Sequence, residues 1–151
     1  MVLRGCLEKS LYALYLHKKP DLQETWLNRH KSEECKNQVR GEFQIKKIKE
    51  CLKSIDESVY DRACYLYDFT IDYGAHPNDK ALLTNLSIQE DENTKTFDQI
   101  FLTGGTLQLG LCLKTTAQIG VCSLDIFGLV FREGFCNFKI PAKLAKIKKG
   151  L

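Results

Sequence analysis

Leu3, Leu7, Leu11 and Leu14 recur at spacings of four, four and three, which puts them on one helical face and predicts an amphipathic helix over residues 3–18. This helix begins almost at Met1, without an N-cap and with Gly5 in its first turn, so helical elements that would normally precede it are expected to be missing. Lys19-Pro20-Asp21 ends it and opens a second helix, with Asp21 and Glu24 spaced as a capping box. Leu22, Trp26 and Arg29 give that second helix one moderately apolar side. From His30 to Arg40 the chain is almost wholly polar, as expected of a solvated stretch or one facing a partner. Phe43, Ile45, Ile48, Leu52 and Ile55 mark a third helix, and Ser54 to Glu57 read as the capping box of a fourth. Tyr60, Cys64, Tyr67 and Ile71 continue the fourth at spacings of four, three and four. It should stop near Tyr73-Gly74-Ala75-His76-Pro77, because the residue before a proline is biased away from the α region and Gly74 loosens the last turn.

Residues 81–88 alternate with Leu82, Leu86 and Ile88 on one side and predict a strand; the acidic and amide-rich residues 89–96 then predict a turn, and residues 97–103 a returning strand. From Thr106 to Phe131 the chain is mostly apolar, with Lys114 and Asp125 its only charges. Those charges, together with Gln108, Gln118, three glycines and Thr115-Thr116, leave no uninterrupted apolar run long enough for a membrane span. A buried central helix is expected instead. The pattern as a whole is mainly α: an up-and-down helical bundle with a small β-hairpin insert before the last long helix.

A chain of 151 residues, 44% hydrophobic and 27% charged, is long enough for one domain with a core that requires neither disulfide nor structural metal. The net charge of +3 suggests a nucleic-acid partner until it is located. Lys139, Lys143, Lys146, Lys148 and Lys149 carry five of the positive charges and no acid follows Glu133, which leaves residues 1–138 at −2. The chain therefore divides into a helical domain over 1–138 and a basic, solvated C-terminal tail over 139–151. Seven cysteines, with no CxxC and no Cys/His cluster at zinc spacing, fit free thiols in a reduced, cytoplasmic compartment; no secretory signal is visible.

Two places put titratable groups where packing alone would not. Arg4 and Glu8 stand four apart beside the leucine stripe, with Tyr12 continuing the line; if that side is buried, the pair must satisfy itself. His76, at a helix C-terminus near Asp72 and Asp79, is placed either to act as a general acid or base, or to hydrogen-bond free carbonyls of the last turn. His17 and His30 read as exposed side chains. The three histidines lie too far apart for a metal site, and no cofactor-binding motif is present. Gly104-Gly105-Thr106 leads into the long helix as an anion-binding turn would, but without the flanking residues of a phosphate loop.

The Arg-x-x-x-Glu of "RGCLEKSLYALYLHKKPDLQETW", followed by a polar helix and then a Tyr-rich helix ending in His-Pro, resembles a group of uncharacterised bacterial HEPN-like helical domains over residues 3–131. The resemblance implies an all-α bundle, often dimeric, and at superfamily level a link to RNA cleavage; Arg4, Glu8, His76 and Pro77 are the matching positions. HEPN ribonucleases usually carry Arg, four to six residues, then His on one helix, and here Arg62, the nearest upstream arginine, is separated from His76 by thirteen residues. Two functions are therefore expected in order. The first is a regulatory or oligomerisation module that pairs with itself or with a protein partner. The alternative is a ribonuclease or nucleotide-binding protein in which His76 exchanges protons, Arg4 stabilises phosphate charge and Glu8 orients one of them.

Overall fold

The leucine stripe of the first helix is the centre of the molecule. In the computed structural model, which describes residues 2–75, 86–91, 93–99 and 107–151, helix α1 (Val2–Lys18) buries Leu7, Leu11, Leu14 and Tyr15. It also buries Ser10, whose hydroxyl donates to the Leu7 carbonyl at 2.8 Å and so is not left unpaired. Along α1 lies the long helix α6 (Leu107–Val130), which contributes Ile119, Cys122 and Ile126, with the small polar Thr115 and Ser123 between them. Helices α4 (Ile45–Lys53) and α5 (Glu57–Thr70) close the core with Ile48, Leu52, Val59, Ala63, Leu66 and Tyr67. The result is the mainly α bundle that the periodicity predicts, with a two-stranded antiparallel hairpin before the last long helix.

Helices α2 (Asp21–Leu27) and α3 (Glu33–Glu42) are peripheral, and neither has a fully buried residue. Trp26 ties α2 to the core by packing on Phe43 and Tyr12, with ring centroids 4.8 and 5.2 Å apart. The polar stretch is helical because Ser32 caps it, its Oγ accepting from the Cys35 backbone N–H at 3.2 Å.

Both predicted capping boxes form differently. Pro20 already has helical dihedral angles at the start of α2, so Asp21 sits inside the helix and caps nothing. Ahead of α5 the cap is Asp56, whose Oδ1 accepts from the Val59 N–H at 2.9 Å; Ser54 belongs to the end of α4, where its hydroxyl donates to the Cys51 carbonyl. Helix α5 passes into a π-helical turn over Ile71–Ala75. Just before it, the Thr70 hydroxyl donates to the Tyr67 carbonyl at 2.7 Å, a side-chain bond of the kind that loosens regular helical pairing.

The hairpin pairs β1 (Leu86–Asp91) with β2 (Thr94–Gln99), Asp91 opposite Thr94. Most of the predicted turn over 89–96 is therefore strand. The charges read as turn signals are a cross-strand pair: Glu90 faces Lys95 and their side chains meet at 2.7 Å, while Ile88 faces Phe97. Residues 81–85 and 100–103, predicted as strand, lie outside the described residues.

The tail is structured too. After α7 (Arg132–Asn137), Lys139 adopts a left-handed conformation with φ 54° and turns the chain into α8 (Ile140–Lys148), with Pro141 in its first turn. Leu144 buries its side chain and Lys148 reaches Asp125 of α6 at 2.8 Å, so a segment expected to be solvated is docked on the bundle. Gly128 faces α7 where a Cβ would lie 3.3 Å from the Phe135 ring, so any larger residue there would push that ring outward by a few tenths of an ångström.

Candidate functional site

Arg4 and Glu8 do pair, and they do not pair alone. Arg4 Nε donates to Glu8 Oε1 at 2.8 Å, Arg4 Nη2 donates to the Tyr67 hydroxyl at 2.9 Å, and that hydroxyl donates to Glu8 Oε1 at 3.0 Å. One turn of α1 thus supplies the ion pair, and the core-facing side of α5 supplies a phenol that closes it into a ring. The arginine and glutamate side chains are 30% and 32% exposed, so the network is half in solvent, whereas Tyr67 is buried. Burial first, and then donation to Glu8, raise the Tyr67 pKa above the ordinary tyrosine range. At neutral pH the phenol is a donor and not a base.

Lys49 of α4 completes the surroundings. Its Nζ lies 4.0 Å from the centre of the Tyr67 ring and 3.9 Å from Asp68 Oδ1. Two cations thus stand against two carboxylates, and little positive charge remains to stabilise a developing phosphate charge. Among the described residues the arrangement holds an ion pair against a phenol.

His76 and Pro77, singled out in the sequence, lie outside the described residues, as do Gly104, Gly105 and Thr106. His17 and His30 are exposed, as predicted. No group of three or more potential metal ligands occurs among the described residues. Sequence reasoning missed Tyr67 and Lys49. The signal for Tyr67 was present: a tyrosine on the buried stripe of a helix needs a partner for its hydroxyl.

A second charged centre surrounds Asp125, one of the two charges in the apolar stretch. Its Oδ2 accepts from Arg62 at 3.2 Å and its Oδ1 from Lys148 at 2.8 Å, so one acid of α6 ties both α5 and α8 to the bundle. Beside it lies a cavity of about 290 Å³, bordered by Arg62, Tyr65, Leu66, Gln118, Val121 and Cys122.

All seven cysteines are free. Burial pushes the Cys122 thiol up to about 11. Folding therefore holds a proton that the unfolded chain, with an ordinary thiol near 9, has lost. The contribution of Cys122 to stability should be constant below pH 9 and fall by about 2–3 kcal/mol between pH 9 and 11. Urea unfolding across that range is expected to show the fall, and Cys122→Ala to reduce its slope. An unchanged slope would place the titrating group elsewhere.

The opposite side of α6 has another character. Thr115, Ile119, Cys122 and Ile126 face the core, whereas Leu113, Ala117, Gly120 and Leu124, at spacings of four, three and four, run along the outer side toward Phe131. Leu113 is 62% and Phe131 56% exposed, and no charged residue interrupts the line. The expected central helix is thus buried on one face only. By length and composition alone, its segment Leu109–Val130 is long and apolar enough to cross a membrane, and 22% of the most apolar window is buried in the protein. Comparison with protein-family models, with curated proteins and with solved structures finds no match.

Proposed function

We propose that this chain is a non-catalytic helical module that associates with a second copy of itself through the outer face of α6. The observation that carries this reading is the uncharged line Leu113, Ala117, Gly120, Leu124 and Phe131. A four-three-four spacing is that of two helices packed side by side, and a line without charge opposes no like charges when it meets its own copy. Gly120 supports the same conclusion. A Cβ added there would meet nothing within 4 Å, so packing inside the protomer does not demand a glycine; close approach of another helix would.

The resemblance to bacterial HEPN-like bundles, which often pair, agrees with this reading, and seven free thiols suit a reduced cytoplasmic setting. Light scattering coupled to gel filtration at about 100 μM should give a dimer, consistent with a micromolar dissociation constant. Leu113→Lys combined with Leu124→Lys should give a monomer of unchanged helicity, and Gly120→Leu should weaken association without lowering the stability of the protomer. A wild-type monomer at that concentration would overturn the proposal. So would a protein recovered only in detergent, which would assign the same face to lipid.

The alternative reading, an RNA- or nucleotide-directed enzyme, draws on one observation: Arg4 and Glu8 converge with a buried phenol at a half-exposed site. Incubation of an RNA pool with the wild type and with His76→Ala and Arg4→Ala tests it. Cleavage by the wild type that both variants lose would favour the enzyme over the module; intact RNA throughout would remove this alternative.

A further inference from the structure

The outward side of α8 carries a run of exposed lysines. Ile140, Leu144 and Lys148, at spacings of four, turn toward the bundle, where Leu144 is buried and Lys148 holds Asp125. Lys143, Lys146 and Lys149, at spacings of three, therefore run along the opposite side. All three are exposed, as is Lys139, and none of the four joins an ion pair among the described residues. No acid follows Glu133 to moderate the field. Apolar groups accompany these charges. Phe138, at the turn beside Lys139, is 72% exposed, and Ile147, one turn from Lys143, is half-exposed.

From this pairing of unpaired lysines with exposed apolar side chains, we infer that α8 and the turn before it dock on an anionic lipid surface. Basic groups supply the attraction to the headgroup layer, while Phe138 and Ile147 enter its apolar boundary. The residue type matters. All the basic residues after Arg132 are lysines, whose point charges suit a diffuse anionic surface, whereas the planar fork of arginine suits individual phosphates read in fixed geometry. Because α8 is anchored by Leu144 and Lys148, this face is already ordered, and docking requires no folding of the tail. The inference goes beyond self-association through α6 and does not depend on it.

Sedimentation with vesicles tests it. The protein should pellet with phosphatidylcholine vesicles containing about a quarter phosphatidylserine, remain in solution with phosphatidylcholine alone, and be released from the anionic vesicles by about 0.5 M NaCl. Each lysine of the outer line should contribute about fivefold, so K143Q/K146Q/K149Q should bind about a hundredfold more weakly. Phe138→Ser, which leaves the charge unchanged, should weaken binding about tenfold. Circular dichroism of both variants should match the wild type, which separates lost docking from lost folding. Equal binding to both kinds of vesicle, or to neither, would overturn the inference. So would retention of full vesicle binding by Phe138→Ser together with competition by a short single-stranded RNA, a result that would assign the face to nucleic acid.

Discussion

Leu11→Ala is expected to lower the unfolding free energy by about 2–5 kcal/mol, a large share of what a domain of this size possesses. Leu11 is fully buried in the middle of α1, the helix that packs against α4, α5 and α6. Removing its branched end leaves a space that the close-packed core around it fills only in part. Urea unfolding measures the loss as a lower midpoint. Leu27→Ala is the control: this leucine is exposed at the end of α2, and its replacement should change stability by no more than about 0.5 kcal/mol. Equal effects at the two positions would mean that the stripe of α1 is not the centre of the core.

The second large effect is expected at the ring of Arg4, Glu8 and Tyr67. Tyr67→Phe keeps the ring in its packing place but removes the hydroxyl that accepts from Arg4 and donates to Glu8. Hydrogen bonds to charged partners each contribute about 1.5–3 kcal/mol, and solvent reaches these partners, so a total loss of about 1–3 kcal/mol is expected. Combining Tyr67→Phe with Glu8→Gln in a double-mutant cycle isolates the connection, which should exceed about 0.5 kcal/mol. The pair formed by Lys47 and Glu42, 3.6 Å apart and well exposed, should give a smaller value in the same type of cycle. A coupling near zero for Tyr67 and Glu8 would reduce the site to a surface ion pair.

The bundle was legible in the sequence because its signal repeats. Leu7, Leu11 and Leu14 announce α1, Ile48 and Leu52 announce α4, and each is buried as its spacing requires. Local chemistry was less legible, since one residue can serve several ends. Ser54 looked like a helix start and is a helix end; Glu90 and Lys95 looked like turn residues and face one another across strands. The Arg4 and Glu8 pair was readable because both residues lie on one helix, four apart. Tyr67, 59 positions beyond Glu8, was not, because nothing local to α5 says which helix its hydroxyl meets. The outer face of α6 escaped notice for a different reason. A helix apolar on all sides is expected to be buried on all sides, and only the arrangement of its neighbours reveals that one side is left over.

Trp26 is the only tryptophan in the chain, and it sits in α2 with its ring between Tyr12 and Phe43 and the Arg29 guanidinium 4.8 Å above it. Its fluorescence therefore reads the attachment of the peripheral α2 to the bundle, which is lost either when α2 detaches alone or when the core beneath it unfolds. Far-ultraviolet circular dichroism, dominated by the longer α1, α5 and α6, reads the remainder. The molecule thus carries a separate optical gauge for its least anchored part, and the distance between the two unfolding curves measures how far the edge of the fold can detach while its centre stays intact.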